Sequence, residues 1–258
     1  MRGPRVLVIA GFDPSGGAGL TADLAVIAKA GVRGVAVATA LTVQGSGGVE
    51  RVDASDASLV ERSIRRLAED GPIDAVKIGM LARREIVDSV TAALDGTAHG
   101  PVVLDPVLAS GTGFPLLDDA GREALGAHLL RRVDVVTPNA PEAALLGAGE
   151  PDSTERSGAA AAALRGLGAR AVLLKGGHLP GNPDDVWVDE AGAMVLPGRR
   201  IGTGRIHGAG CALSAWLAAG LALGLDPRAA ARRAKAEVAA AIERAEPEPN
   251  GVRYLRWA

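Results

Sequence analysis

Val6-Leu7-Val8-Ile9-Ala10, running directly into Gly11-Phe12-Asp13-Pro14-Ser15-Gly16-Gly17-Ala18-Gly19, is the stretch whose reading decides the fold. A short continuous apolar run bounded by glycine is the pattern of a strand buried on both faces. The glycines that follow suit a tight strand-to-helix turn. They also let the backbone approach a ligand at the positive end of the next helix. The loop lacks the Gly-Lys-Ser/Thr ending of a Walker loop and is not a clean dinucleotide fingerprint, so its spacing leaves turn and ligand cradle both open. Its position does matter, because ligands of open α/β sheets lie beyond the carboxyl ends of strands.

Working outward, the same kind of run recurs at Gly34 to Ala40, Ala75 to Ile78, Val102 to Leu104, Val133 to Thr137 and Ala171 to Leu174. Helical patterns separate them over Ser58 to Glu69, Arg84 to Leu94, Ala120 to Leu130 and Thr154 to Leu167. Strands alternating with helices predict a mostly parallel sheet covered on both faces. Val186-Trp187-Val188 and Ala193-Met194-Val195, about Glu190-Ala191-Gly192, read as a hairpin. Two helices are expected at the end, Ala209 to Leu223 and Pro227 to Ala245, followed by a loop over 247–251. Neither a repeat nor a linker interrupts the chain, so one domain over 1–258 is expected.

Composition removes several function classes. The 258 residues carry 28 Lys+Arg against 30 Asp+Glu, a net charge of −2, which argues against a nucleic-acid-seeking surface. One cysteine can form neither an internal disulfide nor a cysteine-rich metal site. The apolar stretches fall short of the roughly 20 residues of a membrane span. The opening residues, Met1-Arg2-Gly3-Pro4-Arg5, lead straight into the first strand without a signal-peptide pattern, so a cytoplasmic location is expected.

Two further segments carry chemistry. Ile206-His207-Gly208-Ala209-Gly210-Cys211 opens a small-residue helix. Its first N–H groups converge on one point, as an anion hole for a transferring phosphoryl group requires. Cys211 in the first turn feels the positive helix end, which lowers a thiol pKa and makes it a candidate base; the alternative is a small packing thiol. Asp105-Pro106-Val107, Thr137-Pro138-Asn139-Ala140-Pro141-Glu142 and Lys175-Gly176-Gly177-His178 each follow a strand. Singly they read as caps and turns, but in a parallel sheet all three fall on one edge, where acidic and amide oxygens suit Mg²⁺.

Taken together and in order, these motifs resemble the hydroxymethylpyrimidine/phosphomethylpyrimidine kinases of thiamine biosynthesis, within the ribokinase-like superfamily. Ala22-Asp23, Ala40-Leu41-Thr42-Val43-Gln44 and Lys77-Ile78-Gly79-Met80-Leu81 add to the match, which runs from Val6 to about Ala219. The resemblance implies a three-layer α/β/α fold, a homodimer, and Mg-ATP as phosphoryl donor. The small-molecule substrate it implies is 4-amino-5-hydroxymethyl-2-methylpyrimidine, followed by its monophosphate; no nucleic-acid or membrane partner is implied. Gln44 would bind the pyrimidine, with Gly11, Asp23, Met80 and Val107 lining its pocket. Cys211 would be the base, and Gly208, Ala209 and Gly210 the anion hole. Asp105 and Glu142 would serve the metal, and Asn139, Lys175, Gly176 and Gly177 the nucleotide.

The chain departs from the family pattern at Gly45-Ser46, at Ala109, at Arg205-Ile206 and Ala209, and in its C-terminal segment from Asn250 to Ala258. Those replacements remove a lysine and hydroxyl groups, and so bear on the second phosphorylation; Arg205 offers a replacement charge. His207 could position the glycine loop or contact phosphate, and the structural role is the expected one. Two other readings remain open at the level of sequence: a pyridoxal kinase of the same cysteine-bearing type, and a non-catalytic pyrimidine-binding sensor.

Overall fold

A nine-stranded sheet forms the middle layer of the computed structural model, which describes residues 3–202, 204–248 and 251–257. Its strands are β1 (Arg5–Phe12), β2 (Arg33–Gly45), β3 (Gly48–Ala54), β4 (Ala75–Ile78), β5 (Val102–Leu104), β6 (Val135–Val136), β7 (Ala171–Leu174), β8 (Asp185–Asp189) and β9 (Gly192–Leu196). They lie in the order β3-β2-β1-β4-β5-β6-β7-β8-β9. From β2 to β7 every neighbouring pair is parallel. The antiparallel pairs are at the edges, β2 with β3 and the β8–β9 hairpin beyond β7. The expected three-layer α/β/α fold, with its mostly parallel sheet, is what the chain adopts.

Alternation along each buried strand divides two cores. Leu7, Ile9, Ile78, Leu104, Val136 and Leu174 face one side. There they meet α2 (Ala57–Glu69), α3 (Arg84–Asp95), α4 (Asp119–Ala124) and α6 (Thr154–Gly166). Val6, Val8, Ala75, Val103, Val135 and Leu173 face the other. That side is covered by α1 (Gly19–Lys29), α7 (Ala209–Ala222) and α8 (Pro227–Arg244). A short helix, α5 (Ala140–Leu145), follows β6. None of the helices among the described residues is long and apolar enough to cross a membrane.

Three expectations change. The helix expected over 120–130 is α4 followed by a π turn at Leu125–Leu129 and a 3₁₀ turn at Leu130–Arg132. The second strand does not stop at Ala40; it continues to Gly45 and returns as β3, an arm the sequence reading lacked. Apolar Leu41 and Val43 on that arm are 59% and 51% exposed, so no core pattern announces it. The C-terminal residues also form structure. β11 (Arg253–Tyr254) pairs with β10 (Ile206–His207), and buried Arg253 donates to the carbonyls of Ile242 and Ala245 at the end of α8. Within the loop expected over 247–251, residues 249 and 250 lie outside the described residues, as do 1, 2, 203 and 258.

Candidate active site

Six parallel strands deliver their carboxyl ends to one edge, and a cavity of about 950 Å³ runs along it. Lys77, Asp105, Thr137 and Lys175 each stand one residue past an apolar position of the first core, so alternation turns all four toward the α7 side. Their polar groups are therefore buried beneath α7 rather than spread around the sheet.

The α7 end of the cavity is built by backbone. Gly208 caps the helix with φ +79°, and a side chain on it would overlap the carbonyl of Gly17. Gly210 is short for a second reason: a methyl group there would sit 3.2 Å from the Lys175 ammonium and 3.8 Å from an Asp105 oxygen. Intrahelical bonding begins at Ala212, whose N–H donates to the Gly208 carbonyl, so the preceding amides have no intrahelical partner. Gly208, Ala209, Gly210 and Cys211 all line the cavity.

Below that helix end, Lys175 Nζ lies 2.6 Å from Asp105 Oδ1 and 3.5 Å from Glu142 Oε2. Thr137 Oγ1 adds a 3.3 Å bond to the same Asp105 oxygen. Burial opposes ionisation of Asp105, yet Lys175 and Lys77 hold its carboxyl below the ordinary range. Glu142 is less compensated. Burial, reinforced by the Asp105 charge, pushes it up to about 7 although Lys175 pulls the other way. Asn139 and Glu142 form a reciprocal capping box on α5, with N–H to oxygen distances of 2.7 and 2.8 Å. The Asn139 oxygen is thus engaged, and its NH₂ group is what it can offer a ligand.

At the other end Gly11, Gln44, Met80 and Val107 line the cavity, as does Thr42. Thr42 Oγ1 donates to Gln44 Oε1 at 3.3 Å, and Gln44 Nε2 lies 3.3 Å from His207 Nε2. His207 in turn lies 2.7 Å from Asp13 Oδ2, with its ring edge-on to Tyr254. Asp13 also accepts the N–H groups of Ser15 and Ala18, at 2.8 and 3.0 Å. Burial works against its charge, but the bonds from His207 and Ser15 win and lower its pKa. Asp13 and His207 therefore fasten the glycine loop to the segment before α7.

Three expectations need correction. Asp23 does not line the cavity; it is fully buried, with Oδ2 2.6 Å from Lys77 Nζ, because α1 turns it beneath the cavity floor. Gly176 is also away from the cavity, its N–H spent on Asp185 Oδ1 at 2.8 Å, whereas Gly177 lines it. The Cys211 thiol is not acidified. Burial pushes it up to about 12, and the Asp23 and Asp105 charges add to this, against the pull of Lys77 and a hydrogen bond from the Gly19 N–H. Desolvation outweighs the helix end here. Arg205 bonds the Ser46 carbonyl at 2.7 Å, tying the β2–β3 turn to the strand before α7.

Sequence reasoning missed one whole wall. Pro197, Ile201, Val238, Ala239 and Ile242 line the far half of the cavity, an apolar slot between the segment after β9 and α8. The signal was the alanine-rich face of α8, which reads equally well as ordinary packing. It also gave no role to Lys77, although the charge interrupts an otherwise apolar strand.

An α/β/α sheet with an anion hole at one helix end, a buried carboxylate–ammonium cluster and an apolar slot defines a ribokinase-like small-molecule kinase. Residues 13–253 match the model of the phosphomethylpyrimidine kinase family, and the chain belongs to that family. It is 42% identical over 243 residues to the hydroxymethylpyrimidine/phosphomethylpyrimidine kinase of Rhizobium meliloti, covering 93% of this chain and 91% of the relative. Phosphomethylpyrimidine kinase from Clostridium difficile superposes with a TM-score of 0.83 at 33% identity, covering 93% of this chain and 99% of the other. The pyridoxal kinase of Staphylococcus aureus in complex with ADP gives 0.91 at 31% identity, covering 100% and 94%. Against the multifunctional thiamine-biosynthesis proteins ThiED of Corynebacterium efficiens and Corynebacterium glutamicum, the chain spans 30% and 29% of their length.

Proposed function

We propose that this protein is an ATP-dependent kinase that phosphorylates 4-amino-5-hydroxymethyl-2-methylpyrimidine and then its monophosphate, in thiamine biosynthesis. The observation that carries the reading is the meeting of Gln44, Cys211 and the first amides of α7 in one cavity with an apolar slot. An aminopyrimidine edge offers a donor and an acceptor, and a single amide matches both. Met80 and Val107 give the flat ring apolar walls.

Phosphoryl transfer asks for positioning and charge neutralisation more than for covalent chemistry. Cys211, as its thiolate, takes the proton of the acceptor hydroxyl as the hydroxyl oxygen bonds to the γ-phosphorus and the bond to the β,γ-bridging oxygen breaks. The first amides of α7 receive the charge on the transferred group. Lys175 and Gly177 lie on the phosphate path, and Asn139 adds its NH₂ group. Asp105 and Glu142 are a pair of oxygen donors of the kind Mg²⁺ takes together with water and phosphate, so the donor set fits. Among the described residues there is no group of three or more His, Cys, Asp or Glu side chains placed to cage a metal. Mg²⁺, when bound, supplies neutralisation of phosphate charge.

The same reading takes 1–258 as one kinase domain in the cytoplasm, and as a homodimer joined through the β2–β3 arm, whose apolar Leu41 and Val43 face solvent. A pyridoxal kinase is the second reading, favoured by the TM-score of 0.91 to the Staphylococcus aureus enzyme. Coupled ATP-turnover assays on the pyrimidine alcohol, its monophosphate and pyridoxal decide between them. The highest kcat/KM is expected for the pyrimidine alcohol. A tenfold preference for pyridoxal, or ligand binding without any turnover, overturns the assignment.

A further inference from the structure

The reaction as described leaves a buried ion pair unused. Lys77 is the penultimate residue of β4 and Asp23 sits on α1; both are fully buried, with Nζ 2.6 Å from Oδ2. Two charges taken out of water are stabilising only when their geometry and hydrogen bonds are complete. Here they are not. Asp23 Oδ1 has no partner among the described residues. Of the three N–H donors on Lys77, Asp23 Oδ2 takes one among the described residues. Two apolar side chains would fill the same space at no electrostatic penalty, so packing does not explain the pair.

What the pair adjoins is the reacting sulfur. Lys77 lines the cavity together with Cys211, from the strand directly under α7. Gly19, the first residue of α1, directs its N–H at the sulfur, so the helix carrying Asp23 also touches the thiol. We propose that Lys77 is a positioning residue for phosphoryl transfer: its buried ammonium, held by Asp23, faces Cys211 and supports the negative charge the sulfur must carry to accept the hydroxyl proton. The inference rests on Cys211 being the base. The charged groups facing the thiol are Lys77 from β4, Asp23 from α1, Asp105 from the end of β5 and Lys175 from the end of β7. The two carboxylates oppose a thiolate and the two ammonium groups favour it. Burial opposes the charge on Lys77, but Asp23 and its neighbours keep it protonated well above neutral pH.

Cys211 is the only cysteine in the chain, so alkylation by iodoacetamide reads this sulfur alone, without nucleotide or substrate. The rate follows the thiolate fraction, tenfold for each pKa unit. At pH 8, Lys77→Met is expected to slow alkylation at least tenfold, and Asp23→Asn to speed it by a similar factor. A purely structural pair would loosen the site in both variants and speed both. Acceleration in both, or unchanged rates in both, overturns the proposal. Should Lys77→Met fail to fold, Asp23→Asn is compared with Asp23→Asn/Lys77→Gln. The double variant is expected to react at least tenfold more slowly, and equal rates overturn the proposal. Failure of the base assignment is seen separately, as retained turnover in Cys211→Ser with these alkylation ratios intact.

Discussion

On the face of the sheet covered by α2, α3, α4 and α6, strand residues such as Leu7, Ile78 and Leu104 meet only aliphatic neighbours. On the α1–α7–α8 face Lys77 stands inside β4, and Asp105, Thr137 and Lys175 directly follow β5, β6 and β7. The two faces share one backbone and one register, so the difference comes from single residues at the strand ends. One face stores stability in dispersion and apolar burial. The other holds charges that burial alone would not favour, and they persist because each carboxylate faces an ammonium. A fold can concentrate chemistry on one side of a sheet without compromising the side that holds it together.

Exchanging the roles of the faces should fail, and the largest effect is expected at Cys211. Cys211→Ser should lose about 10²–10⁴-fold in kcat, the usual worth of a positioned base, with unchanged thermal unfolding. Unaltered kcat would remove the thiol from the mechanism. On the opposite face, Leu104→Ala should lower unfolding free energy by about 2–5 kcal/mol while kcat of the folded fraction stays as it was. A matching drop in kcat would mean that the two faces are coupled.

Glu142 sharpens the comparison through pH. Its folded pKa, about 7, lies above the ordinary 4.5, so the native state binds a proton that the unfolded state has released across that window. Stability therefore falls as pH rises from 4.5 to 7, by about 3 kcal/mol for this group. Glu142→Gln keeps an oxygen for the α5 cap and should remove that slope. Denaturant titrations of both proteins at the two pH values measure the difference, and parallel curves would refute it. The smallest effect is expected on the β2–β3 arm. Leu41→Asp should turn a dimer into a monomer in sedimentation, with less than about 0.5 kcal/mol change within the protomer. A wild-type monomer would remove the arm as an interface.

Much of this was legible in the residues. The runs at 171–174 and 102–104, and the run at 75–78 broken only by Lys77, are the strands themselves, because such apolar residues have nowhere to go but a doubly covered sheet. The glycine loop and the strand-end motifs pointed to one edge for the same reason. The β2–β3 arm was illegible, since its apolar side chains face outward and its pairing is set by a partner strand. Asp23 was misplaced because a helix turn, not a motif, decides whether a carboxylate faces a cavity or its floor.

The sequence by itself determined the layers, the strand order's parallel character and the set of residues at the carboxyl edge, since these follow from local periodicity and chain connectivity. Only the tertiary structure decided which charges pair, that burial outweighs the helix end at the Cys211 thiol, and that α8 closes the cavity. Electrostatic free energy depends on distance and burial across segments up to 194 residues apart, as between Asp13 and His207, and no local pattern encodes either.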